Sequence, residues 1–305
     1  MATAVRHRLL PVAVNHSFAL NSARFNSSLS KFDRTKTYPN EKANGYQPIP
    51  LPDLFSIQGK TAICTGITGG LGKSLGLTLA EAGANIVSIQ LPGDPELGAL
   101  EKEVRSFGQK FHHFDCNIGD SVALRKCFTE IWTAGVAPDI LLNCAGTNRH
   151  GPLETLTDED INVVIDVNLK GSFVAAQEMA KQLLRNQRPG KIINIGSMTA
   201  YQAVWNTSTY AATKAGVVQF TKAFSNELAG RNIQVNCICP GYFTTPMTAT
   251  LAQHQEYNDF ILDRTPAGRW GDPSELRGAL LFLASPASNF VTGSSVVVDG
   301  GMLGM

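Results

Sequence analysis

Lys60-Thr-Ala-Ile-Cys-Thr65-Gly66-Ile-Thr68-Gly69-Gly70-Leu71-Gly72 is the stretch on which the fold turns. Lys60 to Thr65 reads as a short buried strand, and the glycines follow it without a spacer. Beyond them Leu71, Leu75, Leu77, Leu79 and Ala80 predict an amphipathic helix that runs to Gly83. Glycines at a strand-to-helix junction let the backbone turn tightly. They also let a pyrophosphate approach the amides at the positive end of the helix. The spacing Thr65-Gly66-x-x-x-Gly70-x-Gly72 differs from G-x-G-x-x-G, so it reads as a variant dinucleotide loop. A glycine cluster alone is more often only a turn; the strand before it and the helix after it carry the reading.

Outward from this unit, strand and helix alternate. Strands are expected near 60–65, 84–90, 110–114, 139–143, 190–196, 232–238 and 295–299, with helices between, including long ones near 157–186 and 208–229. That alternation predicts an α/β fold with a doubly wound parallel sheet in a single domain. The stretch from about 243 to 275 interrupts it and is expected to form a small helical lid over a substrate, with Gly241, Pro246 and Gly268 as hinges.

Two further patterns point to chemistry. Asp139-Ile-Leu-Leu-Asn143-Cys-Ala145-Gly146 looks like a buried strand opening at the carboxyl edge of the sheet, where open α/β folds bind ligands. Ser197, Tyr210 and Lys214 lie within one short stretch, and Tyr210 and Lys214 are four apart, on one face of a helix. An ammonium beside a phenol favours the phenolate by its charge. Such a pair suits general acid–base work near neutral pH. Asn168, within a helical stretch, is either a surface amide or, if buried, one that needs partners such as an ordered water.

Taken together and in order, Thr65-Gly66-x-x-x-Gly70-x-Gly72, Asn143-x-Ala-Gly146, Asn168, Ser197, Tyr210, Lys214, Pro240-Gly241 and Val298-Asp299-Gly300-Gly301 resemble the short-chain dehydrogenase/reductase family, over about 55 to 303. The resemblance implies a Rossmann-type fold and an oxidoreductase that interconverts a secondary alcohol and a ketone. It implies that Tyr210 is the acid–base on the substrate oxygen and that Ser197 hydrogen-bonds that oxygen. Lys214 would assist Tyr210 and hold the nicotinamide ribose, and Asn168 would hold a water leading to solvent. Gly66, Thr68, Gly70, Leu71, Gly72, Asn143, Ala145, Gly146, Pro240, Gly241 and Phe243 would line the cofactor. Thr245 would anchor the nicotinamide amide and Asp115 would pair with the adenine. No metal is required, and a homotetramer or dimer is implied.

The cofactor is NAD or NADP. The residue expected to discriminate is Gln90, where Asp or Glu would hold a ribose hydroxyl and Arg would favour a phosphate. The glycine loop has no basic residue before Gly70, and Lys73 reads as a solvated helix residue, so NAD is slightly favoured. For the substrate, the resemblance is nearest to gluconate-type sugar-acid dehydrogenases, through Ile261 to Gly271, Lys191 to Met198 and Asn148-Arg149-His150. Arg149 would grip a carboxylate as a fork, and its alternative is a surface loop residue. Arg269 reads as a structural ion-pair residue. Met198 and Trp205 are candidate substrate neighbours. Tyr201 and Trp205 equally suit a less polar ketone, and a sugar or polyol also stays open.

Composition agrees. With 305 residues and 43% hydrophobic content the chain can bury a substantial core. A net charge of +1 offers no electrostatic footprint for nucleic acid, and no apolar run reaches a membrane span. Six cysteines in mostly apolar stretches read as reduced thiols. Cys237-x-Cys239 has the wrong spacing for a redox or zinc motif, and strand alternation is expected to separate its two thiols. Residues 1–53 are read as an N-terminal extension ahead of a catalytic domain over 54–305. No acidic residue precedes Asp33, whereas Arg6, Arg8, Arg24 and Lys31 do. That composition fits a mitochondrial transit peptide and the matrix; a disordered extension of a cytoplasmic protein is the alternative. A reading of another class is a non-catalytic dinucleotide-binding regulator on the same fold.

Overall fold

The computed structural model describes residues 48–305. The composition read as a transit peptide lies outside the described residues. After a single helical turn, α1 (Leu51–Leu54), the chain forms seven strands: β1 (Thr61–Thr65), β2 (Asn85–Gln90), β3 (Phe111–Asp115), β4 (Ile140–Asn143), β5 (Gly190–Ile195), β6 (Ile233–Pro240) and β7 (Ser295–Val298). All pair in parallel, in the order β3-β2-β1-β4-β5-β6-β7. The chain winds outward from β1 to β3 and then returns to lay β4 against the other side of β1. This reversal is a topological switch point, and it opens a crevice beyond the carboxyl ends of β1 and β4.

Strand residues alternate between two apolar layers. Ile63, Val87, Ile89, Leu141, Ile192 and Val235 face α4 (Ser121–Thr133), α6 (Ser172–Arg185) and α7 (Ser208–Leu228), packing on Phe128, Met179, Leu183 and Val217. Ala62, Cys64, Ile86, Ile140, Leu142 and Ile193 face α2 (Gly70–Glu81), α3 (Leu97–Ser106) and α10 (Arg277–Ala284), packing on Leu75, Leu79, Leu100 and Leu280. A sheet covered on both faces needs strands that are buried on both faces and rich in apolar residues. β4 and β5 are buried along their whole length, with Asn143, Lys191 and Asn194 as their polar members.

Three expectations change. The stretch 157–186 is not one continuous helix: α5 (Asp158–Val164) gives way to a π-helical turn, Ile165–Gly171, before α6. β3 extends to Asp115, one residue further than expected, and pairs it with Gln90. Cys237 and Cys239 are not separated. Residues two apart on a strand share a face, and their sulfurs lie 3.8 Å apart. All six cysteines are free thiols. The interrupting segment is helical, with α8 (Ala249–Gln253) and α9 (Gln255–Arg264). It is tied back to the end of β6 by Tyr242 Oη to Tyr257 Oη at 3.3 Å and, through Trp270, by Nε1 donating to Asn258 Oδ1 at 2.8 Å. Among the described residues, no helix is long and apolar enough to cross a membrane.

Candidate active site

A cavity of about 730 Å³ occupies the crevice at the switch point. Its floor is the glycine loop. Gly66 has φ +67°, and a Cβ there would meet Ala145 Cα at 2.5 Å; a Cβ on Gly72 would meet the Gly66 carbonyl oxygen at 1.9 Å. These two glycines are demanded by close backbone packing. Gly69 and Gly70 differ: a Cβ on Gly69 would meet nothing within 4 Å and one on Gly70 only Thr245 Cβ at 3.8 Å. Both line the cavity, so a side chain there would take up its space. No side chain caps the start of α2. Its first amides therefore have no side-chain partner at a positive helix end. An open glycine cradle with uncapped amides fits a dinucleotide pyrophosphate.

Around this floor stand Thr68, Leu71, Gln90, Ala145, Gly146, Pro240, Gly241, Phe243 and Thr245, together with Ser197, Tyr210, Lys214 and Arg149. Thr65 at the end of β1 accepts from the Cys144 and Ala145 amides at 3.2 and 3.1 Å, which fixes the β4 loop beside the glycines. Burial pushes the Cys144 thiol up to about 11, so it stays protonated.

Ser197 follows β5 and caps a short 3-10 turn. Its Oγ accepts from the Thr199 amide at 3.1 Å and from Thr199 Oγ1 at 2.9 Å. Both acceptor sites of the hydroxyl are thereby used, which leaves its own proton for a ligand oxygen. Tyr210 and Lys214 sit one turn apart on α7, with Lys214 Nζ 5.5 Å from the Tyr210 ring centroid. Lys214 is buried, and its ammonium donates to the Ile195 carbonyl at 2.7 Å. Nearby Tyr242 is driven well above the ordinary phenol range by burial and by the Tyr257 hydroxyl, so it stays neutral.

Asn168 is fully buried. The π turn carries it inward, where Oδ1 accepts from the Thr147 amide at 2.8 Å and Nδ2 donates to the Thr147 carbonyl at 2.8 Å. It fixes the loop after Gly146 rather than lining the cavity itself. Five other predicted residues also lie off the wall. Asp115 closes β3, so its carboxylate turns to His113 Nε2 at 2.8 Å, and Cys116, Asn117 and Ile118 line the cavity instead. Asn143 is buried in the sheet and donates to the Ser172 carbonyl and Asn194 Oδ1. Met198 is packed inside, and Trp205 is 89% exposed. Tyr201 also stands outside the cavity lining.

Arg149 does line the cavity, yet Nη1 donates to Thr147 Oγ1 at 3.1 Å and Nε lies 3.7 Å from Asp160. Arg269 forks onto Glu275 at 2.8 and 2.7 Å and holds that carboxyl down near 2, the structural pair expected of it. Lys73 pairs with Glu103 at 2.7 Å on the outside. Sequence reasoning missed Asp94, Thr147, Val163, Val167 and Met247, all on the wall. They come from loops, from α5 and from the π turn; only strand ends placed in space bring them here. No cluster of metal-ligating residues occurs among the described residues.

A family model described as Enoyl-(Acyl carrier protein) reductase matches residues 66–303. The 2-dehydro-3-deoxy-D-gluconate 5-dehydrogenase of Pseudoalteromonas atlantica is 39% identical, over 83% of this chain and 99% of its own length. The 3-oxoacyl-[acyl-carrier-protein] reductase FabG of Thermotoga maritima is 35% identical, over 81% of this chain and 99% of its own. Among solved structures, a gluconate 5-dehydrogenase from Burkholderia cenocepacia in complex with NADP and tartrate superposes with a TM-score of 0.79. It is 37% identical and covers 83% of this chain and 98% of its own. With a seven-stranded doubly wound sheet and these relatives spanning nearly their whole length, the chain belongs to the short-chain dehydrogenase/reductase family of oxidoreductases.

Proposed function

We propose that this oxidoreductase interconverts a secondary alcohol and a ketone on a sugar acid of the deoxy- or ketogluconate kind, using NAD or NADP. The observation that carries this reading is that Ser197, Tyr210 and Lys214 open onto the same cavity as the uncapped glycine loop. When bound, the nicotinamide supplies or accepts the hydride. The remaining work falls to the chain. Ser197, its acceptor sites filled by Thr199, donates its proton to the substrate oxygen and stabilises charge developing there. Tyr210 gives or takes the proton of that oxygen. Lys214, held by the Ile195 carbonyl, keeps a fixed positive charge beside Tyr210. A Cβ at Gly146 would lie 3.4 Å from Asn168 Oδ1 and 3.7 Å from Lys214 Nζ. The two groups are thus near neighbours, and in this reading solvent held there returns the proton.

The sugar-acid assignment is supported by what the relatives act on and by Arg149, a cation on the wall. Arg149 would have to loosen its 3.7 Å contact with Asp160 to grip a substrate carboxylate. Val163, Val167 and Met247 on the same wall favour a second reading, a less polar ketone. In either case the protein works as a homo-oligomer, with the aromatic face of α6 and α7 against a second copy.

Tyr210→Phe is expected to lower turnover by about 10²-fold or more, the scale of general acid–base catalysis. Nucleotide affinity, read by titration calorimetry, is expected to stay nearly unchanged. Retained turnover in this variant would remove Tyr210 from the mechanism. Assaying the unmodified enzyme on gluconate-type acids, polyols and cyclic ketones separates the substrate readings.

A further inference from the structure

The cavity wall at the end of β2 carries a carboxylate that no motif announces. Gln90, the position expected to discriminate the cofactors, is turned into the strand. Its Nε2 donates to Ser88 Oγ at 3.0 Å, and its Oε1 lies 3.4 Å from Thr68 Oγ1. Four residues on, after a turn in which Gly93 takes φ +74°, Asp94 comes back to the wall beside Gln90. Thr68, in the glycine loop, donates its hydroxyl proton to Asp94 Oδ2 at 2.6 Å, and the Glu96 amide donates to Oδ1 at 3.0 Å. The carboxylate is thus fixed from both sides, across the gap between the glycine loop and the loop after β2.

An ionised carboxylate only accepts hydrogen bonds. Each oxygen of Asp94 still has acceptor capacity after its one protein partner. A ribose diol has protons to give such a group, whereas a phosphate in that position is an anion against an anion. The lining holds two cations among the described residues, Arg149 and Lys214. Both belong to the other end of the cleft, next to Thr147 and Tyr210. Lys73 is paired outside with Glu103. Nothing on the wall near Asp94 can offset a second negative charge.

We propose that Asp94, clamped by Thr68, is the residue that holds the 2′-hydroxyl of the adenosine ribose and excludes a 2′-phosphate, so that this chain is an NAD enzyme although a solved relative binds NADP. The inference rests on the reading of the cavity as a dinucleotide site. An unpaired like charge built against the wrong ligand is a common route to selectivity. The competing role for Asp94 is purely local: accepting the Glu96 amide shapes the turn into α3 whether or not a nucleotide is present.

The full chain is titrated with NAD and with NADP by calorimetry, with no substrate present, at low and high salt. The unmodified protein is expected to bind NAD at least about tenfold tighter than NADP, with the gap narrowing as salt screens the repulsion. Asp94→Asn keeps the size of the side chain and an acceptor for Thr68, and removes the charge. It is expected to bind NADP about tenfold tighter than the unmodified protein does and to bind NAD several-fold more weakly. Thr68→Val leaves the charge but frees the carboxylate, and is expected to shift the ratio in the same direction by less. Equal affinities in the unmodified protein, or a ratio unmoved by Asp94→Asn, would leave Asp94 with only the local turn. If Asp94→Asn does not melt cooperatively, an unmoved ratio in Thr68→Val overturns the proposal. Failure of both nucleotides to bind would instead remove the dinucleotide site itself, and the functional reading with it.

Discussion

Lys191 shows how much a single residue here owes to its surroundings. It is the second residue of β5, directly ahead of the core pair Ile192 and Ile193, and its side chain is buried. Its ammonium donates to Ser288 Oγ at 3.2 Å and to Asn289 Oδ1 at 2.9 Å, both neutral. Among the described residues no carboxylate pairs with it. Burial holds it down to about 8, against 10.5 for a free lysine. Between those values the unfolded chain binds more protons than the folded one, so stability rises with pH there. The burden, at most about 3 kcal/mol, is fully present below pH 8 and gone above the unfolded value. Lys191→Met is therefore expected to show its best stability relative to the unmodified protein near pH 7. That advantage should shrink towards pH 10, as read from urea midpoints. A difference that stays flat with pH would mean the charge is not the burden. Nothing in the sequence marks this lysine, because its spacing is that of any strand residue and only the packed loop after α10 buries it.

At the scale of elements, the π turn is the feature that pattern reading passed over. A stretch with helical periodicity from 157 to 186 conceals one wider turn, since hydrophobic spacing tolerates a single added residue. The turn has a structural consequence. It brings Asn168 to the Thr147 backbone and lets Gly171 approach Ile118, where a Cβ would lie 2.8 Å from the carbonyl oxygen. Asn168→Ala would remove the partner of both backbone polar groups of half-buried Thr147. The expected cost is about 1 kcal/mol of stability by denaturant unfolding, the scale of a lost hydrogen bond. Turnover should fall with it, because the Thr147 loop carries the wall beside Tyr210. The glycine loop behaved differently: strand, glycines and helix were all legible, since Gly66 and Gly72 sit where backbone approaches backbone and no other residue fits. Asp115 falls at the end of β3 with its carboxylate on His113 Nε2, and the three residues after it line the cavity.

For the whole molecule, the order of the strands makes the site. The switch between β1 and β4 sets the glycine loop opposite the Asn143 to Gly146 segment, and α7 then delivers Tyr210 and Lys214 across the gap. The same arrangement leaves Phe173 of α6 partly exposed, in edge contact with Phe220 and Phe224 of α7 at 5.5 and 4.8 Å between centroids. An apolar patch on two long helices suits packing against a second copy. Sedimentation is expected to give a dimer or tetramer mass, and Phe173→Glu to shift it towards the monomer. A monomeric unmodified protein would reject this use of the face.

What the chain determined by itself was local and periodic: the alternation of strand and helix, the glycines that only close backbone packing explains, and a tyrosine and lysine one helical turn apart. Such features depend on near neighbours in sequence, so their spacing records them. The tertiary structure alone decided which distant loops meet at the crevice. It placed Asp94 against Thr68, filled the acceptor sites of Ser197, buried Asn168 and left Trp205 in solvent. Those outcomes depend on strand order and on where each strand stops, which bring together residues that no spacing along the chain relates.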